Sequence, residues 1–205
     1  VRSDLEAFYQ RLEPRDAVQR RRWLFTTPWL EYAAGEIQEE DFNLQARDRA
    51  VESQRLEALK AVLTARGTGG LWELAQYGEA QFVIGQLASM LLKDDEWLEF
   101  LQLCLTMETD SKREALVRGL TVEVPSGRLS VMSRWAATLS QDSVLRLLRL
   151  MPFRRWVWQW MKSAVPQCTE AYWRKVPPIY VSEKGEAVEA VEALLSVNRP
   201  RAAFV

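Results

Sequence analysis

The stretch Ser140-Gln141-Asp142-Ser143-Val144-Leu145-Arg146-Leu147-Leu148-Arg149-Leu150-Met151-Pro152-Phe153-Arg154-Arg155-Trp156-Val157-Trp158-Gln159-Trp160-Met161-Lys162-Ser163-Ala164-Val165-Pro166 decides how the chain is read. Its apolar residues recur with the helical period of 3.6, and no run alternates as a half-buried strand would. Ser140-Gln141-Asp142 starts one short helix, Pro152 separates it from the next, and Pro166 opens a third. Trp156, Val157, Trp158 and Trp160 are too closely spaced for a narrow stripe. A helix packed on more than one neighbour needs such a wide apolar face.

The same grammar extends in both directions. Towards the C-terminus it predicts a helix from Pro166 through Tyr172-Trp173 to Val176, a hard stop at Pro177-Pro178, extended Ile179-Tyr180-Val181, and a helix over 182–197. Asn198 caps that helix, and residues 201–205 read as a helix cut short. Towards the N-terminus it predicts helices over 129–139, 110–122, 94–107, 80–92, 71–77 and 44–66. Gly67 serves as the residue that ends the longest of these. Thr68-Gly69-Gly70 and Pro125-Ser126-Gly127 read as joints, and Asp94 as a cap. Helices over 5–12 and 15–25 come first, followed by an acidic, irregular connection over 29–43. The expected organisation is therefore an N-terminal helical pair with its connection (1–43) and a helical array (44–205).

Eleven or twelve short helices joined by tight polar turns favour an all-α fold of helical-hairpin repeats. The array would be α-solenoid-like, in the manner of irregular HEAT or TPR repeats. The alternative architecture is a compact irregular helical bundle. The absence of an initiator Met and the short last segment suggest a piece of a longer array.

Composition narrows the function. The 205 residues include nine Trp and no His. Without His there is no Ser-His-Asp or Cys-His triad and no His-liganded zinc, iron or haem within this chain. Two cysteines, Cys104 and Cys168, are too few for a four-Cys zinc site and read as reduced, buried small hydrophobes. No apolar run is long enough to span a membrane. Thr68-Gly69-Gly70 lacks the lysine and preceding strand of a phosphate loop. The acidic triplets Glu39-Glu40-Asp41 and Asp94-Asp95-Glu96 read as solvation and as helix N-terminal charge rather than as paired catalytic acids. No catalytic residue, cofactor or metal site is expected.

Charge is unevenly spread. The 27 Lys and Arg nearly balance the 28 Asp and Glu. Residues 141–178, however, hold seven basic side chains (Arg146, Arg149, Arg154, Arg155, Lys162, Arg174 and Lys175) against Asp142 and Glu170. Together with Trp158 and Tyr172 these form the candidate partner-binding set. Such a ridge fits an acidic protein partner, or a nucleic acid whose phosphates it would contact and whose bases it would stack. The competing reading is a solvated helix face over buried aromatics, including pairing with an acidic element of the same chain. Arg20-Arg21-Arg22 spreads around its helix and forms no single patch. Trp29 and Trp158 are the tryptophans expected to stand exposed for a partner.

Several segments carry a resemblance: Arg22-Trp23-Leu24-Phe25, Arg55-Leu56-Glu57-Ala58-Leu59, Arg66-Gly67-Thr68-Gly69-Gly70-Leu71, Ile84-Gly85, Leu150-Met151-Pro152-Phe153 and Glu170-Ala171-Tyr172-Trp173. They resemble the helical-repeat region of very long bacterial proteins that are similar to antiphage-defence components. The C-terminal regions of those proteins resemble the sensor arrays of NTPase-type immune proteins. The resemblance implies a cytoplasmic scaffold or sensor segment of a larger bacterial protein, whose partners are other proteins or other domains of the same longer chain. It transfers no catalytic residue.

Overall fold

A computed structural model describes residues 13–29, 43–106, 110–177, 179 and 181–204. The helix expected over 5–12 and nearly all of the acidic connection lie outside them. The described residues are helical and contain no strand. Ten α-helices occur among them: α1 (Ala17–Arg21), α2 (Leu44–Gln76), α3 (Gln81–Leu91), α4 (Asp94–Thr106), α5 (Ser111–Thr121), α6 (Ser126–Ala136), α7 (Gln141–Leu150), α8 (Arg155–Ala164), α9 (Thr169–Lys175) and α10 (Lys184–Ser196). Short 3-10 turns cover Arg22–Phe25, Pro166–Cys168 and Pro200–Phe204. No described helix is long and apolar enough to cross a membrane.

The chain forms two compact units, Val1–Leu92 with Asp110–Gly119, and Lys93–Thr109 with Leu120–Val205. They do not divide at residue 43, because α1 and its 3-10 turn pack on α2. In the first unit the Asp16 carboxylate caps α1, accepting from the amides of Val18 (3.0 Å) and Gln19 (2.9 Å). The amide of Gln19, despite some desolvation, holds that carboxyl below its ordinary pKa with help from Arg66 and the Val18 amide. Asn43 caps α2 by accepting from the Ala46 amide at 3.0 Å.

α2 breaks at Gly67, whose φ of 61° and ψ of −156° leave the helical region, as a glycine there allows. The helix resumes at once, so Thr68-Gly69-Gly70 is helical rather than a joint. A Cβ on Gly70 would come within 2.7 Å of the Arg66 Cβ and 2.9 Å of a Val62 methyl, so the two arms of α2 meet where only glycine fits. Pro125-Ser126-Gly127 is likewise not a turn. Ser126 and Gly127 already belong to α6, which places Arg128 where its Nε donates to Asp94 Oδ1 at 2.8 Å. Asp94 is thus the first residue of α4 and an ion-pair partner, not a cap.

Arg55 organises the first unit. Its side chain is buried, and it donates from Nε to the Leu24 carbonyl, from Nη2 to Thr27 and from Nη1 to Pro28, each at 2.9 Å. Its guanidinium also lies 5.9 Å from the centre of the Phe25 ring. Burial lowers the pKa of Arg55. The group nevertheless stays charged, because guanidinium is not deprotonated in proteins. Carbonyls at the end of a 3-10 turn offer the negative potential that holds a cation there. Arg55→Met should destabilise the first unit by about 3 kcal/mol, since three carbonyls lose their donor while the apolar stem is kept. Urea unfolding measures it.

α3 and α5 cross at contact distance. A Cβ on Gly119 would fall 2.1 Å from the Phe82 carbonyl oxygen and 2.8 Å from the Gln86 nitrogen, both rigid backbone. Gly127 in α6 faces open space. Gly119→Ala should therefore cost about 3 kcal/mol through overpacking. Gly127→Ala should add about 0.5–1 kcal/mol through a better-formed helix. Thermal unfolding of both variants would show shifts of opposite sign.

Candidate interaction site

The core of the second unit begins with an aromatic cluster. Phe153 packs edge-on against Trp158 (5.0 Å between centroids) and Trp173 (5.8 Å), and Trp173 touches Trp158 and Tyr172, each at 5.3 Å. Trp158 and Tyr172 are fully buried. The expectation that Trp158 stands exposed for a partner, and that it and Tyr172 could stack bases, is therefore corrected. The wide apolar face of α8 turns Val157, Trp158, Trp160 and Met161 inward. Pro166 and the following 3-10 turn bring Tyr172 and Trp173 of α9 onto it. The Trp158 Nε1 and the Tyr172 hydroxyl meet no partner at full hydrogen-bond geometry. Burial pushes the Tyr172 phenol well above its usual pKa, with the Trp158 N–H acting in the opposite direction. Trp29 is exposed as expected, at 84 %.

The structure spends most of the basic side chains internally. Arg154 donates from Nη1 to Glu186 Oε2 at 3.2 Å. Arg155 meets Glu189 through Nε (3.1 Å) and Glu183 through Nη1 (3.3 Å), and Lys162 meets Glu189 Oε1 at 3.0 Å. Glu186 is buried, and its Oε1 also accepts the backbone N–H of Arg155 at 2.7 Å. That bond caps α8 from outside, because Arg154 at the cap position makes no side-chain capping bond. The acidic element that pairs with the basic stretch is thus α10. Its Glu183, Glu186 and Glu189 recur every third residue along one side of the helix start.

The remaining basic residues lie apart from this clasp. Arg146 donates from Nη1 to the Leu105 carbonyl at 2.9 Å, at the end of α4. Arg174 pairs with Glu170 one turn back on α9, its Nη2 at 2.6 Å. Arg149 and Lys175 are exposed in the last turns of α7 and α9, where a cation complements the helix dipole. The seven basic residues therefore do not converge on one open ridge.

Chemistry elsewhere is sparse. Cys104 and Cys168 are buried and not joined in a disulfide, and burial pushes the Cys168 thiol up. Asp95 and Glu96 sit in the first turn of α4, where Glu96 Oε2 accepts the Lys93 amide at 3.0 Å. Glu39-Glu40-Asp41 lies outside the described residues. Among the described residues no three His, Cys, Asp or Glu side chains are grouped to hold a metal. Comparison with known proteins finds no matching family model, no matching curated protein and no matching solved structure.

Sequence reasoning placed the basic half of the clasp but not Glu183, Glu186 and Glu189 as its acceptors. The signal was the three-residue acidic spacing at the start of α10, which also fits ordinary helix N-terminal charge. Desolvation pushes Glu189 up, but Lys162 and Arg155 outweigh it and hold the carboxyl below its normal value. A lowered folded-state pKa gives stability that is present above the unfolded value of about 4.3 and is lost as pH falls through the folded value. The stability difference between wild type and Glu189→Gln should therefore be full at neutral pH and shrink in acid, as urea unfolding from pH 7 to 3 would show. Glu186→Gln should cost about 1–2 kcal/mol by weakening the cap and its charge-assisted bonds.

Proposed function

We propose that this chain is a noncatalytic interaction segment, a scaffold or sensor surface of a larger protein, built from helical-hairpin repeats. The observation that carries the reading is alternate-helix packing in the second unit. α4 packs on α6, α6 on α8, and α7 on α9. Polar bridges run along the same series: Arg128 to Asp94, Trp160 Nε1 to Ser133 Oγ at 2.9 Å, and Arg155 to Glu189. Packing of a helix on the next but one supports hairpin-repeat stacking, and α9 in addition packs on its chain neighbour α10.

The lack of His, the buried cysteines and the aromatic core support a role in shape recognition rather than in chemistry. The resemblance to sensor arrays of bacterial immune proteins points the same way and suggests a cytoplasmic setting in antiviral defence. Nucleic-acid binding is the weaker reading, because Arg154, Arg155 and Lys162 are already engaged by carboxylates.

Two measurements on the full chain test the proposal. A photo-reactive residue at exposed Val188 or Leu195 of α10 should give protein adducts in cells that survive nuclease treatment. A single-stranded nucleic-acid probe should not be retained at about 50 mM salt. Retention with a steep salt slope, or nuclease-sensitive adducts, would favour the nucleic-acid reading instead.

A further inference from the structure

We propose that α10 is a displaceable acidic cover, and that the surface of α8 beneath it accepts an acidic helix from a partner protein. The inference rests on the interaction-segment reading and names the class of partner.

α10 packs on α9 and on the Pro200–Phe204 turn but brings few fully buried apolar residues to those contacts. Its buried apolar residues are Ala190 and Leu194, whereas α7 buries Val144, Leu145, Leu147, Leu148 and Leu150. Val188 and Leu195 on its other side are half exposed. The N-terminal end is held by the contacts of Glu183, Glu186 and Glu189 with Arg154, Arg155 and Lys162. The C-terminal end is pinned by Arg199, whose Nη1 donates to the carbonyls of Trp173 and Val176, each at 2.8 Å. Most of the ion-pair side chains at the N-terminal end are partly exposed, so salt screens them. The helix is reached through a connector with no helical residue at Pro177, Ile179, Val181 or Ser182.

Removing α10 would leave a surface that calls for carboxylates. The start of α8 would lose the acceptor for its Arg155 amide, beside three cations without counter-charge. A helix N-terminus flanked by Arg side chains binds carboxylates through charge-assisted bonds. α10 defines what fits there: a helix whose acids recur every third residue. The guanidinium of Arg155 lies over Gly185, where a Cβ would come within 2.8 Å of Nη2, so a small residue before the middle acid suits the site. A partner helix of this type competes with α10 for the same cations. The chain would then expose the surface only when that partner, or high salt, displaces the cover.

The probe is a fluorescent peptide with the sequence of residues 182–197, together with a version carrying Gln at 183, 186 and 189. The 205-residue chain is compared with its Glu183→Gln/Glu186→Gln/Glu189→Gln variant, whose own cover is weakened. The variant should bind the acidic peptide at least tenfold more tightly than wild type. The Gln peptide should lose that gain, and so should a further Arg155→Gln substitution. Equal binding by wild type and variant, with both helical by circular dichroism, overturns the proposal. So does preferential capture of a poly-U oligonucleotide over the peptide.

Hydrogen exchange on the unmodified chain keeps the test open if the variant fails to fold. Amides of α10 should exchange at least tenfold faster than those of α7 and α8, and faster again at high salt. Exchange of α10 in step with α7 and α8 at every salt concentration overturns the cover. That result would leave the interaction-segment reading standing, since the nuclease-resistant adducts test that reading separately.

Discussion

Short helices have many ends, and the rest of this structure depends on satisfying them. Each α-helix leaves amides at its start and carbonyls at its finish without an internal partner. In both units, side chains distant in sequence reach those groups. Arg55 collects the carbonyls of Leu24, Thr27 and Pro28. Lys112 donates to the Gln76 carbonyl at the end of α2, and Arg146 to Leu105 near the end of α4. The Trp97 indole donates to Leu120 at the end of α5, and Arg199 to the last carbonyls around α9. Glu186 does the converse at the start of α8. Most of these donors are cations, because a helix C-terminus carries partial negative charge.

This constraint gives the charge distribution its meaning. The near balance of 27 basic and 28 acidic residues conceals a basic stretch over 141–178. Read linearly, that stretch looks like an open binding ridge. In the folded chain it is shared between an internal clasp with α10, a carbonyl at the end of α4, one pair within α9, and two exposed helix C-termini. Which of these cations already have a carboxylate partner is therefore set by the packing of α10, not by the number of arginines.

Much of the helical fold was legible. Pro152, Pro166 and Pro177 separate the helices where expected, and Gly67 leaves helical geometry. Ser140 caps α7 by accepting the Ser143 amide at 3.2 Å. These signals are local and steric, so they survive the absence of tertiary information. Misreadings fell where a local signal had a long-range competitor. Gly70 and Gly127 look like turn glycines, yet both lie within helices. For Gly70 the reason is close approach to Val62 and Arg66. For Gly127 the helix begins early enough to carry Arg128 to Asp94. Asp94 has the composition of a cap but is drawn into that ion pair instead.

By itself, then, the sequence determined that the chain is helical, where most helices stop, and that its two cysteines are core material, whereas only four of its nine tryptophans (Trp97, Trp158, Trp160 and Trp173) are buried. These follow from periodicity, backbone sterics and the cost of exposing apolar surface. Only the tertiary structure decided which charges are spoken for. Trp158 was expected at the surface and is buried, because the face it occupies is covered by Phe153, Trp173 and Tyr172. Arg154, Arg155 and Lys162 were open either to a partner or to an acidic element of the same chain, and that element is α10, some thirty residues away in sequence. Helical periodicity fixes the direction of a side chain relative to its own helix; which neighbour lies in that direction is settled only when the helices pack.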